Sequence, residues 1–386
     1  MLLFFGATGG IRTPDLSVRS RMLYPAELRL HFAESHFSIG FFACFVNIFK
    51  QKFLPIFNFL NFVLFYFVKV YKTDILILRK RKNFTRILKE FNMKNIKIKG
   101  FHDLELNCYL FEPEKKAKAC IQIIHGMQEH GARYQDFAEF LCKNGYVVLV
   151  SDLRGHGHSL VYEGKQGYGE KDIFTEILED QKIICDYLEK TYKLPVYVFS
   201  HSFGSFVTQR LMHVCFTPDK FVLCGTGYGD KFLFKMAKSL ANMMASFGKK
   251  DKPAKTIENM SFKSYGKKFE NGNWLTRDEE MYKKYQEDPF CGESFPVSFY
   301  QSMFTNFVKL NKEIDNIPKE TKIFLIAGDK DPVGDSGKDV TNLYRLYVKH
   351  GKNARIKLYP DARHELVNET NRKEVYEDVL NFFNEK

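Results

Sequence analysis

The stretch Val196–Ser205, V-Y-V-F-S-H-S-F-G-S, is the part of the sequence that decides the fold. Its first four residues are mostly apolar and predict a buried strand, and the small residues that follow predict a sharp turn. Apolar residues then recur at helical spacing from Phe203 to Val214, which predicts a helix. A strand, a tight turn and a helix would place Ser202 at the apex with its hydroxyl exposed as a nucleophile, and Gly204 would let the helix pass close to the strand.

The serine motif departs from the usual pattern at one position. The pattern is G-x-S-x-G, and here Ser200 replaces the first glycine. Serines flanked by small residues are common in loops, so the motif alone is a weak signal. A hydrolytic role requires that the chain also supply a base, an acid that orients the base, and donors for an oxyanion.

Length and charge limit the class of protein. The 386 residues suffice for one large domain and an accessory one, and 45% hydrophobic with 27% charged residues is ordinary for a globular protein. The net charge of +12 would suit a nucleic-acid partner. However, residues 1–92 carry fourteen Lys or Arg and five Asp or Glu, which leaves only +3 for residues 93–386. We therefore exclude nucleic acid as the main partner of the body of the chain.

The eight cysteines indicate a reducing compartment. They are scattered without a C-x-x-C spacing, and most lie in apolar runs such as Ala119–Ile121. This pattern is typical of reduced core thiols rather than of a disulfide or zinc framework. We expect a cytoplasmic protein without a metal ion.

Residues 1–92 differ from the rest of the chain in amino-acid composition and in the lack of secondary-structure patterns. Sixteen of the 39 phenylalanines fall there, without clear helix caps or strand alternation. Residues Phe53–Val68 are the candidate hydrophobic anchor, although they are short for a membrane span and contain Pro55. If residues 1–92 are real, the protein could be membrane-associated through this segment.

A second interpretation of residues 1–92 is a misassigned upstream extension. Back-translation of residues 11–13 and 23–28 yields antisense strings that resemble the T-arm and the D-arm of transfer RNA genes, in the right order. The Phe-, Lys-, Asn- and Ile-rich part that follows resembles translated AT-rich spacer. We expect the native protein to begin at Met93, and we favour this interpretation over an anchor.

From Met93 onwards, strand and helix signals alternate. The predicted strands are Lys94–Lys99, Leu104–Phe111, Ala119–Ile124, Tyr146–Val150, Val196–Phe199, Phe221–Cys224, Lys322–Ala327 and Arg355–Tyr359. The main predicted helices, besides that after Ser202, are Tyr134–Lys143, Ile173–Tyr192, Val340–Lys349 and Arg372–Phe383. Strands that are apolar throughout indicate an α/β fold, with a mostly parallel sheet covered by helices on both faces.

Residues 229–321 interrupt this rhythm. They are rich in Met, Phe and Lys and show no strand–helix alternation. An insertion between two core strands would lie over the carboxyl ends of the sheet, where open α/β folds place their sites. The predicted organisation is a core of residues 93–228 and 322–386 and a cap, or lid, of residues 229–321.

The candidate base and acid follow the last strands. His364 lies in a loop between the final strand and the final helix, a position that favours a catalytic base over a solvated surface histidine. Asp329, Asp331 and Asp335 lie directly after the Lys322–Ala327 strand, and all three qualify as the acid by residue type.

The string H-G-M-Q-E-H-G-A-R-Y, residues 125–134, follows an early strand. A His-Gly turn at this place can offer a backbone N–H to an oxyanion, which predicts Met127 and Phe203 as the pair of donors. His125, Glu129 and His130 could also be interpreted as metal ligands, but their spacing lacks a helix to align it. We therefore expect neither a metal nor a cofactor. The later string D-L-R-G-H-G-H-S, residues 152–159, is interpreted as a structural turn.

With these parts in place, residues 93–386 resemble the monoacylglycerol lipase and lysophospholipase branch of the α/β-hydrolases, a family described as serine aminopeptidase-like. The strings that carry the resemblance are, in order, H-G-M-Q-E-H-G-A-R-Y, D-L-R-G-H-G-H-S, S-H-S-F-G-S, G-D-K-D-P-V and A-R-H-E-L-V-N-E. The resemblance implies an eight-stranded sheet with a helical cap. It assigns the nucleophile to Ser202, the base to His364 and the acid to Asp331, with Met127 and Phe203 as oxyanion donors.

The resemblance also implies an activity. A Ser-His-Asp triad that forms an acyl-enzyme would cleave carboxylic esters, above all monoacylglycerol or lysophospholipid-type lipids. The amphipathic segment Phe232–Phe247 is either ordinary packing or an acyl-chain groove, and its place over the site favours the groove. Membrane contact could be made through the cap or through residues 53–68. The alternatives are an aminopeptidase, with Glu258, Glu279 and Glu280 available to bind an amine, and a non-catalytic binding protein. The oligomeric state stays open.

Overall fold

The computed structural model describes residues 93–229 and 232–385. Its strands are β1 Met93–Lys99, β2 Glu105–Phe111, β3 Ala119–Ile124, β4 Tyr146–Ser151, β5 Val196–His201, β6 Pro218–Cys224, β7 Lys322–Gly328 and β8 Asn353–Tyr359. Its helices are α1 Gln135–Lys143, α2 Ile173–Tyr192, α3 Phe203–Leu211, α4 Phe232–Met244, α5 Lys255–Gly266, α6 Glu279–Glu287, α7 Val297–Phe307, α8 Lys338–Lys349 and α9 Arg372–Asn384.

All eight strands belong to one sheet, in the order β1-β2-β4-β3-β5-β6-β7-β8. The pairs β1–β2 and β2–β4 are antiparallel, and every later pair is parallel. The predicted α/β fold, with a mostly parallel eight-stranded sheet and helices, is therefore confirmed.

The apolar strands explain why helices cover both faces of the sheet. Every residue of β3 and β4 is buried, so each strand needs apolar partners on two sides. In β7, Ile323 and Leu325 pack in one core with α2, α3 and α8, whereas Phe324 and Ile326 pack in the other core with α1 and α9. This alternation follows from the two-residue period of a strand.

The observed bounds differ from the predicted ones at several element ends. Strand β6 begins at Pro218, three residues before the prediction, because proline is tolerated as the first residue of a strand. Helix α3 ends at Leu211 instead of Val214, and the Cys215 N–H then bonds to the Leu211 carbonyl. Strand β8 begins at Asn353, where polar residues had hidden the strand pattern.

Residues 229–321 contain helices α4–α7 and, among the residues that the structure describes, no strand of the sheet. They contact the loop after β8: the Glu365 N–H donates to the Leu275 carbonyl at 2.7 Å, and the rings of Trp274 and His364 lie 5.1 Å apart. The insertion thus reaches the carboxyl ends of the parallel strands.

The segment Phe53–Val68 and the expected start of the native chain concern residues outside the described ranges. Across the described residues, the structure holds no helix with both the length and the apolarity to cross a bilayer.

Candidate active site

Ser202 stands at a sharp turn between β5 and α3. Its backbone is left-handed, with φ 51° and ψ −123°, and the helix begins at the next residue. Gly204 is what allows this turn to lie so close to the sheet. A Cβ at that position would come within 2.4 Å of the His125 carbonyl oxygen and 2.5 Å of the Ile124 carbonyl oxygen. Because both contacts are with backbone, only glycine fits there.

The departure at the first glycine of the motif has a simple structural account. Ser200 is fully buried, and its hydroxyl donates a hydrogen bond to the Val222 carbonyl of the neighbouring strand β6 at 3.0 Å. A buried hydroxyl without a partner would be costly, whereas this one is satisfied. The elbow therefore accommodates serine in place of glycine.

The structure brings His364 and Asp331 to Ser202. His364 Nε2 lies 2.8 Å from Ser202 Oγ, and His364 Nδ1 lies 2.9 Å from Asp331 Oδ2. Asp331 is fully buried, and its other carboxylate oxygen accepts the Val333 N–H at 2.9 Å. A carboxylate on Nδ1 fixes the tautomer that leaves a lone pair on Nε2, facing the serine hydroxyl. The arrangement can thus remove the serine proton.

The other two candidate acids point elsewhere. Asp329, in the loop after β7, accepts the N–H of Asp361, in the loop after β8, at 2.8 Å. Asp335 has a left-handed φ of 49° and pairs with Lys338 at 3.8 Å on the surface. Of the three carboxylates, Asp331 is the one bonded to His364.

The two predicted oxyanion donors each follow a residue at the serine turn. Phe203 follows Ser202 and is the first residue of α3, and the backbone N–H groups at the start of a helix are free to bind an anion. Met127 follows Gly126, and a Cβ at Gly126 would lie 3.2 Å from the Ser202 Cβ. The N–H of Gly126 itself donates to Glu129 Oε1 at 2.6 Å.

A buried ionic network beneath the site was not predicted from the sequence. Arg133 makes two hydrogen bonds to Glu365, at 2.9 and 2.6 Å, and one to Glu129 Oε2 at 2.5 Å. All three side chains are almost inaccessible to solvent. Burial alone raises the pKa of Glu129, but Arg133 and then His201 hold it well below its usual value. Because Glu365 follows His364 directly, the network fixes the backbone beside the candidate base.

His201, the neighbour of Ser202, joins this network. Its Nδ1 lies 2.8 Å from the Tyr134 hydroxyl and 3.2 Å from Glu129 Oε1, and its Nε2 lies 3.3 Å from the His364 carbonyl. Burial lowers the pKa of His201, but the hydrogen bond and charge of Glu129 outweigh it, so the pKa is raised. The charge pairs in the string H-G-M-Q-E-H-G-A-R-Y could have signalled the network, but its partners come from distant loops.

His125 and the backbone of His158 hold loops of the two His-rich strings together. His125 Nε2 accepts the Leu153 N–H at 2.8 Å, and complete burial lowers the pKa of His125 to about 4. Asp152 accepts hydrogen bonds from the N–H groups of Gly131 and His158. These bonds tie the loop after β3 to the loop after β4.

Comparison with known proteins agrees with this geometry. The family model described as "Serine aminopeptidase, S33" matches residues 115–371, about two thirds of the chain. The "Monoglyceride lipase homolog" of Monkeypox virus is 26% identical over 283 residues, which cover 71% of this chain and 90% of that protein. The "Probable lysophospholipase L2" of Haemophilus influenzae is 24% identical over 285 residues, with 72% and 87% covered.

The solved structures support the fold. A thermostable carboxyl esterase from Bacillus coagulans, in complex with glycerol, superposes with a TM-score of 0.70 at 23% identity, over 76% of this chain and 98% of that one. The family model covers both the residues around Ser202 and those around His364. The chain belongs to the serine aminopeptidase S33 family of α/β-hydrolases.

Proposed function

We propose that this chain cleaves the carboxylic ester bond of monoacyl lipids, of the monoacylglycerol or lysophospholipid type, with Ser202 as nucleophile, His364 as base and Asp331 as acid. That the chain is an ester-hydrolysing α/β-hydrolase follows from its family and from relatives named as lipases and lysophospholipases. The hydrogen-bonded chain from Ser202 Oγ through His364 to Asp331 is the observation that carries the assignment of the triad.

The proposed reaction proceeds in two halves. His364 Nε2 takes the Ser202 proton as the hydroxyl oxygen attacks the ester carbonyl, and it then gives that proton to the leaving alcohol. The buried Asp331 carboxylate stabilises the imidazolium that forms in between. Water attacks the acyl-enzyme by the same route in reverse, which releases the fatty acid and restores Ser202.

The backbone N–H groups of Met127 and Phe203 bind the oxyanion in this proposal. Donors that are fixed before the reaction lower the barrier because they need no reorganisation when the negative charge develops. The close approach of Gly126 to Ser202 and the start of α3 at Phe203 support the assignment.

We assign residues 229–321 to a cap and the flanking residues 93–228 and 322–386 to the core. Trp274 of the insertion packs on the His364 ring, and the inner face of α4 packs against the same apolar cluster as Phe203 and Phe206. Within this cluster, Phe206 stacks on Phe307 of α7 with ring centroids 4.3 Å apart. An apolar surface that starts beside Ser202 suits an acyl chain.

The aminopeptidase alternative finds little support in the cap. Glu258 accepts hydrogen bonds from Gln128, Ser294, Tyr300 and the Phe295 N–H, so its oxygens are already engaged within the protein. Glu279 and Glu280 lie exposed in the first turn of α6. A free substrate amine would have to displace the contacts of Glu258 to bind there.

We also propose that the cap contacts the membrane that holds the substrate. Phe232, Met236 and Met243 lie within about 40° of one another around α4, opposite its buried side, and each is more than half exposed. We call these three residues, with Phe247 at 76% exposure, the outer stripe. Exposed apolar patches of this kind mark interaction surfaces. Their position separates them from the acyl groove that the sequence suggested for the whole segment.

Lysines beside the outer stripe favour an anionic bilayer as the partner. Lys235, Lys238 and Lys312 line a surface depression of about 360 Å³ at the edge of α4. Basic side chains near a membrane surface gain about 1 kcal/mol each from anionic lipids. The cysteines that the structure describes are all free thiols, which supports the proposed cytoplasmic location.

The test of this function is a substrate panel on the full chain and on Ser202→Ala. The panel contains p-nitrophenyl esters, a monoacylglycerol, a lysophospholipid and an aminoacyl amide. We expect hydrolysis of the two lipids and of the p-nitrophenyl esters by the wild-type chain alone. Preferential cleavage of the amide would support the aminopeptidase, and inactivity on every substrate would support the non-catalytic protein.

A further inference from the structure

A second constellation lies where the loop after β3 meets the insertion. His130 Nε2 lies 2.8 Å from Asp288 Oδ2, and the Cys291 thiol belongs to the same cluster. One ligand atom from each of the three residues lies within 4.8 Å of the others. His130 and Asp288 are 158 positions apart in the chain, so no sequence spacing could have grouped them.

We propose that His130, Asp288 and Cys291 form a binding site for a divalent transition-metal ion of the zinc type. A nitrogen, a carboxylate oxygen and a thiolate sulfur are the three ligand classes that proteins offer to zinc. Three protein ligands leave a fourth position for water. The sequence predicts no metal here, because the neighbours of His130 in the string of residues 125–134 lack the spacing of metal ligands.

The distances suit a tetrahedral ion after a small adjustment. Zinc bonds of about 2.0–2.3 Å at the tetrahedral angle place neighbouring ligand atoms roughly 3.3–3.8 Å apart. The His130–Asp288 contact must lengthen slightly from 2.8 Å, and the widest separation must shorten from at most 4.8 Å.

The backbone holds the two segments in place without the ion. Asp288 Oδ1 accepts the Phe290 N–H at 2.9 Å, which leaves Oδ2 facing His130. The Cys291 N–H donates to the Asp288 carbonyl at 3.1 Å, and the Gly292 N–H donates to the Gln128 carbonyl at 3.0 Å. The ligands are therefore preorganised by contacts that an ion would not disturb.

The hydrogen bonding of His130 is a further observation in favour of a ligand. The residue is only 8% exposed, and its Nδ1 has no hydrogen-bond partner. If the ring proton is on Nε2 and shared with Asp288, the Nδ1 lone pair is unused. If the proton is on Nδ1, the Nε2 lone pair faces a carboxylate oxygen without a proton between them. In this second tautomer the Nε2 lone pair and Asp288 Oδ2 face each other as two acceptors, which is the arrangement that a bound cation would complete.

The charge around the cluster favours a cation. The carboxylates of Glu129, Asp288 and Glu365 act on Cys291 together with the guanidinium of Arg133. Asp288 is about a quarter exposed, so an ion can enter from solvent. When the ion binds, a metal–sulfur bond replaces the S–H bond of Cys291 and the proton is released to solvent, with no change of oxidation state.

The ion would join two parts of the chain. His130 follows Glu129 of the buried network, and Asp288 and Cys291 belong to the insertion. Metal ligation would tie the insertion to the loop beneath Ser202, and we expect zinc to raise the unfolding temperature. The inference does not rest on the proposed function, because the test can be made in the inactive Ser202→Ala background.

Cobalt(II) is the probe of choice, because a thiolate ligand gives it a charge-transfer absorption band in the near ultraviolet. We expect one equivalent of Co²⁺ to produce this band in the full chain, and equally in Cys142→Ser, a control at another partly buried cysteine. Cys291→Ser should lose the band. A band that persists in Cys291→Ser, or that never forms in the wild-type chain, would overturn the proposal.

A second measurement guards against misfolding. His130→Ala should weaken Zn²⁺ binding by about tenfold or more in calorimetry, a typical effect for perturbing a metal site. His350→Ala is the matched control: His350 also pairs with an aspartate, Asp315, at 2.8 Å, but belongs to no three-ligand group in the described residues. Each variant is first compared with the wild type by circular dichroism without metal. Equal Zn²⁺ affinity in the two folded variants would contradict the site.

Discussion

Arg133→Met tests whether the buried network stabilises the site. The substitution keeps much of the side-chain volume but removes the guanidinium that lies between Glu129 and Glu365. Removing one partner of a buried ion pair costs about 3–5 kcal/mol, because the remaining charge is left uncompensated. For a domain of roughly 250 residues, 1 kcal/mol corresponds to about 2–4 °C in the unfolding midpoint. We therefore expect Arg133→Met to lower the thermal unfolding midpoint by about 6–20 °C at pH 7.

The decrease in the unfolding midpoint of Arg133→Met should become smaller as the pH falls. In the wild type, the pKa of Glu129 is well below 4.5, so its contribution to stability is complete above pH 4.5 and is lost as the pH falls further. In the variant, burial without Arg133 raises this pKa, and the penalty of the buried charge disappears when the carboxylate is protonated. The difference between the thermal unfolding midpoints of the wild type and of Arg133→Met should therefore become smaller as the pH falls through about 4.5.

The assay is thermal unfolding followed by circular dichroism at pH 7 and at about pH 4, with ester turnover measured alongside. Arg210→Met is the matched control, since Arg210 pairs with the partly exposed Glu313. Partly exposed ion pairs contribute about 0–1 kcal/mol to the free energy of unfolding. If Arg133→Met loses no more stability than Arg210→Met at pH 7, the stabilising role of the network is wrong.

Three further predictions address the nucleophile, the elbow and the outer stripe. Ser202→Ala should lower turnover by about 10⁴-fold or more and abolish labelling by a fluorophosphonate; labelling at another serine would contradict the assignment. Gly204→Ala should cost about 1–3 kcal/mol in denaturant unfolding and reduce turnover, because its Cβ meets the His125 carbonyl; wild-type stability would refute the packing argument. Phe232→Glu with Phe247→Glu should reduce co-sedimentation with anionic phospholipid vesicles while leaving hydrolysis of a soluble ester unchanged; undiminished sedimentation would exclude the stripe as the membrane contact.

The fold was predictable because each core strand has a recognisable apolar pattern within its own few residues. Strand β3 is apolar at nearly every position, and the serine turn after β5 is encoded within ten consecutive residues. The positions of His364 and of the candidate acids Asp329, Asp331 and Asp335 after the last two parallel strands also followed from chain order, since loops at the carboxyl ends of parallel strands meet at one edge of the sheet. The choice of Asp331 among the three came from the family resemblance, because residue type and chain order did not distinguish them.

The supporting network could not be predicted in this way. Arg133 contacts Glu129 four residues away, but its bidentate partner Glu365 lies 232 positions further along. The choice of partner depends on how the loops after β3 and β8 pack, and a charged string in a sequence resembles any solvated surface. The same limitation concealed the pairing of His130 with Asp288.

The sequence predicted that the segment of the outer stripe is amphipathic, but not which of its apolar residues are exposed. The segment Phe232–Phe247 was identified as amphipathic, but a sequence window cannot tell which apolar residues face the core. The structure divides them: Phe234 and Ala241 turn inwards, whereas Phe232 and Met236 face solvent. A helix that is apolar on two sides needs tertiary context to be interpreted.

This two-sided helix has a consequence for how the purified protein behaves. Without a bilayer, the outer stripe offers the same apolar surface on every molecule in solution, and two molecules can cover it by packing against each other. Dilution shifts the equilibrium towards single molecules, and a mild detergent removes the contact because its tails occupy the outer stripe. The apparent molecular mass should therefore fall with dilution, whereas the specific activity measured with a soluble ester should stay the same at every protein concentration.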